Sequence, residues 1–97
     1  MSLTPLIVAA TRGGGGGGWY RIGEIKFPDS SVLQKSFAGK KYTAIYASRN
    51  KQKAHKEAMS KRAKGMSVRV LVYKGYISWK PLWFEGDATC YVVYSRE

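Results

Sequence analysis

Residues 13–18 are six consecutive glycines, and this run limits what the chain can fold into more than any other feature. Glycine loses more backbone freedom on ordering than any other residue and brings no side chain to bury, so neither a helix nor a packed strand can run through it. The chain therefore divides into an N-terminal arm with its linker, residues 1–18, and a single folding unit, residues 19–97. A phosphate-cradling loop is the weaker reading. Such a loop continues into Gly-Lys-Ser/Thr at the start of a helix, and here Trp19-Tyr20 follows. Arg12-Gly13-Gly14 is one copy of an RGG-like element, and one copy makes no pattern.

Ahead of the glycines, residues 3–11 read as a short extended segment. Pro5 lacks a ladder donor, which suits an edge strand or a free arm. Tethered in this way, the segment could add as a strand to a neighbouring subunit, giving a homo-oligomer or a larger assembly. A chain of 97 residues fits one domain that buries roughly 60–65% of its unfolded surface. A hydrophobic content of 44% and an aromatic content of 13% argue against wholesale disorder.

Within the unit, residues 19–27 are expected to form a strand with Trp19, Ile25 and Phe27 on one face. Pro28-Asp29-Ser30-Ser31 is a turn that caps a short helix over residues 32–37, closed by Gly39. Lys41 to Ala47 reads as a second strand. Ser48 or Asn50 then N-caps a long helix to about Lys64, with Gly65 as its stop. On the wheel Ala54, Ala58, Met59 and Ala63 share one half, while Arg49, Lys53, Lys56, Lys61 and Lys64 share the other. Lys51, His55 and Arg62 interrupt the apolar half, so only part of it should be buried. Residues 66–73 form the clearest strand, with Lys74-Gly75 as a two-residue turn into a strand over 76–79. That register would set Val72 against Ile77 and Val70 against Trp79 on a core face. Glu85-Gly86-Asp87 reads as another turn before a last strand over 88–95. The sum is an α+β domain: a largely antiparallel sheet of four to five strands with one long basic helix on one face.

The charge is concentrated in one part of the chain. Of 17 Lys and Arg residues, ten lie between residues 35 and 64, where Glu57 is the only one of six acids. The flanking thirds are nearly neutral, so almost all of the net +11 falls on the helix and the segment before it. A field that dense attracts polyanions.

Enzymatic constellations are nearly missing. His55, the one histidine, sits among lysines, and Glu57 points to a different helix face. Cys90, the one cysteine, reads as a buried inert thiol mid-strand and excludes an intramolecular disulfide. The acids form no catalytic pair, and no cofactor or metal site is expected. No apolar run approaches a membrane span. The N-terminus lacks a secretory leader's basic start and long apolar centre, so the expectation is a cytoplasmic protein or one held in a nucleoprotein assembly, not secreted.

The leading expectation is a non-enzymatic nucleic-acid-binding module, for DNA or RNA. Arg49, Lys51, Lys53, Lys56, Lys61, Arg62 and Lys64 would contact phosphates from the helix. Arg69, Tyr73, Tyr76 and Lys80 would share the outer face of the hairpin and stack unpaired bases. The alternative is a small structural or interaction protein that binds an acidic protein surface, with the arm docked on a neighbour.

Overall fold

The computed structural model describes residues 18–96. The arm and all but the last glycine of the linker lie outside this range, and so does the expectation placed on residues 3–11. The described residues form an α+β unit with six strands, not four to five, and one helix. The strands are β1 (Tyr20–Ile22), β2 (Ile25–Phe27), β3 (Gln34–Phe37), β4 (Lys40–Ser48), β5 (Ser67–Trp79) and β6 (Phe84–Arg96); the helix α1 is Lys51–Ala63. All pairings are antiparallel in the order β1-β2-β5-β6-β4-β3.

Three local expectations fail, each for a reason of pairing. Residues 19–27 do not form one strand. They fold into the β1–β2 hairpin about Gly23-Glu24, where Gly23 has φ +61°. A Cβ at Gly23 would lie 2.8 Å from the Ala47 nitrogen and from Tyr46 Cδ1, so only glycine allows this turn to press on β4. No α-helix forms over residues 32–37; only Val32 and Leu33 are helical, at the end of a 3-10 turn. Asp29 caps a single 3-10 turn over Ser30–Leu33, its Oδ1 accepting the Ser31 N–H at 2.9 Å. The chain then extends as β3 because β4 offers it a ladder.

The largest correction concerns Lys74-Gly75. β5 runs straight through it and pairs with β6 over its full length, from Ser67↔Arg96 to Trp79↔Phe84. The connection is Lys80–Trp83 instead, and Glu85-Gly86-Asp87 lies inside β6. A thirteen-residue ladder satisfies far more backbone groups than the shorter hairpin would. The consequence for side chains is parity. Val72 lies across from Tyr91 and is 57% exposed, while Ile77 is fully buried on the other face.

The sheet curls so that its first hairpin reaches β4. β2 pairs with the end of β5 through Ile25↔Trp79 and Lys26↔Ser78, while the Glu24 N–H donates to the Ala47 carbonyl at 2.9 Å. Inside this curl lies the main core, with Ile22, Ile25, Phe27, Val32, Tyr42, Ile77, Cys90, Val92 and Tyr94. The Tyr94 hydroxyl donates to the Val32 carbonyl at 2.7 Å and ties the 3-10 turn across the core. A register shift between Ala44 and Tyr46 turns both Ile45 and Tyr46 to the outer face, where α1 packs.

On that outer face the core is thin: Ala54, Ala58, Val68 and Val93. Asn50 is the N-cap, its Oδ1 accepting the N–H groups of Gln52 at 2.9 Å and Lys53 at 3.2 Å. Gly65, at φ +87°, closes the helix; its N–H donates to the Arg62 carbonyl and that of Met66 to Lys61. The helix is shorter than expected, with 13 residues. At about 1.5 Å per residue it spans ~20 Å, against ~43 Å for β5 at about 3.3 Å per residue. It therefore shields the start of β5 and leaves Val72 and Tyr76 in solvent.

Candidate nucleic-acid interface

The residues expected to form one basic face are distributed among several roles. Ala54 and Ala58 turn to the sheet, whereas Met59 is 66% exposed and Ala63 is exposed. Lys61 is half-buried and pairs with Glu57 at 3.6 Å. Arg62 curls back to donate from Nη2 to the Val68 carbonyl at 3.1 Å. Lys53 pairs with Glu24 at 3.0 Å. Burial disfavours the ionised Glu24 carboxylate, but hydrogen bonds from Lys53 and Ser48 overcome it and hold its pKa below the ordinary value. The same bond raises the Lys53 pKa. Lys51, Lys56 and Lys64 remain exposed, and neither side-chain hydrogen bonds nor ion pairs hold them among the described residues.

The expected stacking patch is divided by the continuity of β5. Tyr73 and Tyr76 differ by an odd number of residues and point to opposite faces. Tyr73 packs edge-on against Phe27 at 4.9 Å in the inner core, and burial raises its pKa. Tyr76 stands on the outer face, 6.0 Å from the Trp19 ring, and donates its hydroxyl to Glu85 at 2.8 Å. Arg69 lies over Phe37 at 5.0 Å, far along β5 from Lys80.

The fold instead gathers cations and aromatic rings at the β5–β6 connection. Around the Trp83 ring lie Lys26 Nζ at 4.2 Å, Arg21 at 5.2 Å and Lys80 Nζ at 5.9 Å. Arg49 lies 4.8 Å over Trp79 and donates from Nε to the Thr89 carbonyl at 3.2 Å. Trp79 neighbours Phe84 at 6.2 Å. Leu82 is 75% exposed and Phe84 48% exposed, so the tip presents apolar surface to solvent. Arg21, Lys26, Arg49 and Lys80 take part in no ion pair among the described residues. Trp83 has φ +54°, a conformation that bulky side chains rarely adopt and that recurs at functional sites. The hairpin turn places Glu24 beside the tip: the Lys80 N–H donates to the Glu24 carbonyl at 3.1 Å.

Of these residues the sequence had marked Arg49 and Lys80 and missed Arg21, Lys26, Trp79, Trp83 and Phe84. Two tryptophans and a phenylalanine within six residues around Lys80-Pro81 are a signal for an exposed aromatic turn. Nothing local announces Arg21 and Lys26. They reach the tip only because β2 pairs with the end of β5.

Cys90 is buried among the inner strands, where desolvation pushes its thiol up to about 12. Among the described residues, His, Cys, Asp and Glu side chains form no cluster of three that could hold a metal ion. No helix among them is long and apolar enough to cross a membrane. No family model, curated protein or solved structure matches the chain.

Proposed function

We propose that the protein is a non-enzymatic nucleic-acid-binding module that takes unpaired nucleotides at the β5–β6 tip. The observation that carries this reading is the meeting of Arg21, Lys26 and Lys80 around Trp83, next to Arg49 over Trp79 and an exposed Phe84. Cations that pair with no acid contact phosphates, and the exposed Phe84 ring with the half-buried Trp79 and Trp83 offers surface on which bases stack with little sequence preference. Lys51 and Lys56, exposed on α1, extend the phosphate track away from the tip.

The test is titration of tryptophan fluorescence with oligo(dT), oligo(U) and a duplex across a salt series. The single strands bind at ~50 mM salt, and log K falls linearly with log salt. Trp83→Ala weakens single-strand binding by roughly 5- to 150-fold, the value of one stacked base. Lys26→Gln and Lys80→Gln each lower the salt slope by about 0.7. Failure to bind at ~50 mM salt, or binding that Trp83→Ala leaves unchanged, overturns the reading.

A second reading, an interaction protein that meets an acidic partner, is favoured by a separate observation: part of the β5 edge is open.

A further inference from the structure

β5 has thirteen residues, and β2 pairs with only two of them, Ser78 and Trp79. From Ser67 to Ile77 its second edge has no strand partner among the described residues. The direction of its backbone groups follows from two contacts. Arg62 reaches the Val68 carbonyl from the side away from β6, and the Lys80 N–H meets Glu24 on the β2 side. Because the ladder to β6 runs without a bulge, alternate residues share a direction. The N–H and C=O groups of Val70, Val72, Lys74 and Tyr76 therefore point out of the sheet.

The surroundings of this edge specify what fits it. Val72 is 57% exposed, and Val70 and Leu71 are half-buried beside it. An open groove of about 550 Å³ runs along the first part of the edge, lined by Tyr42, Arg62, Met66–Leu71 and no acid. Lys74 and the helix-borne Arg62 share the valine face of the edge, and Arg69 stands as an exposed cation on the opposite face. Exposed edges usually carry devices that block pairing. Here Arg62 occupies a single carbonyl and leaves the other four residues' groups free.

We infer that the edge of β5 from Val70 to Tyr76 is a strand-addition site for an extended partner peptide that alternates apolar and acidic residues. Main-chain hydrogen bonds to Val70, Val72 and Lys74 would supply the register, the outer-face valines the contact for the peptide's apolar side, and Arg69, on the opposite face of the strand, the preference for carboxylates on its other side. This site lies along the strand, away from the β5–β6 tip, so it stands or falls independently of nucleic-acid binding.

The probe is a blocked heptapeptide of alternating valine and glutamate, titrated into the full chain and into a chain without residues 1–17. Amide resonances and hydrogen exchange provide the readout. The peptide slows exchange at Val70, Val72 and Lys74 while leaving the Trp83 region unmoved. A version N-methylated on its bonding edge, a valine–lysine version, and the Val72→Pro protein each bind at least tenfold more weakly. Val72→Pro removes only an outward N–H, so the β6 ladder persists and circular dichroism confirms the fold. Four results overturn the proposal: no binding at ~1 mM peptide, binding indifferent to N-methylation, protection of these amides in the free full chain that vanishes without residues 1–17, or protection that grows with protein concentration. The third assigns the edge to the chain's own arm and the fourth to a second copy.

Discussion

The inner face of the sheet is filled by Ile25, Phe27, Ile77, Val92 and Tyr94, all essentially inaccessible to solvent. The outer face of the same strands is covered by two alanines of α1 set against Val68 and Val93. Large interlocked side chains bury much more apolar area per residue than alanines do, and stability follows that area. The curled sheet is thus the body of the molecule and α1 an attachment. Around the alanines pack the half-buried Ile45, Tyr46, Met66, Val70 and Tyr91, and two polar contacts join the helix to the sheet: the Lys53–Glu24 pair and the Arg62 bond to Val68. The two proposed binding surfaces follow this division. Both the tip and the open edge of β5 belong to the sheet, and the helix contributes exposed charge.

Truncating the inner core has the largest effect. Phe27→Ala removes a fully buried ring in contact with Tyr73 and costs about 3–5 kcal/mol in urea unfolding. Ala58→Leu probes the outer face by the opposite means. It overpacks the alanine seam and costs about 1–3 kcal/mol. Its loss appears first in α1, where amide exchange quickens while β5 and β6 keep their protection. If Ala58→Leu costs as much as Phe27→Ala, the contrast between the faces fails. Asn50→Ala removes the acceptor for two N–H groups and costs about 1 kcal/mol, again read at α1.

The smallest effect is the pH dependence of the helix attachment. Glu24 has a lowered pKa in the folded protein, so its contribution is present above the ordinary glutamate value of about 4.3. The contribution is lost as pH falls through the lower, folded value. Thermal melts from pH 7 to pH 3 should show this acid limb, and Glu24→Gln should flatten it. An unchanged limb in that variant would show that the ion pair does not help hold α1.

Much of the helix was legible in the residues themselves. Asn50 and Gly65 are local signals whose chemistry works within one turn, and α1 lies between them as expected. The basic middle third and the burial of Cys90 were legible for the same reason: charge density and apolar flanks are properties of neighbouring residues. The β5–β6 hairpin was not. Lys74-Gly75 resembles a turn when read alone, and its extended conformation is set by Ala88 and Thr89 across the ladder. With that turn went the expected pairing of Tyr73 with Tyr76, since a change of turn position reverses which face a residue occupies. β3 is hidden in the sequence for a similar reason: Leu33 and Phe37 fit a helical spacing until β4 supplies a partner.

The six glycines by themselves set the expected start of the folding unit at residue 19, because backbone entropy depends on residue type alone. The sequence also determined that the chain is strongly cationic, and that the excess is centred on α1 and the segment before it. Tertiary structure decided which cations remain available. Lys53 and Lys61 are in ion pairs with Glu24 and Glu57, Arg62 is turned onto the sheet, and Arg21 and Lys26 are carried from the nearly neutral first third to the Trp83 ring. The physical reason is range. Propensity and charge count act within a few residues, whereas the pairing of β2 with β5 joins residues some fifty positions apart, and no local property encodes which ones meet.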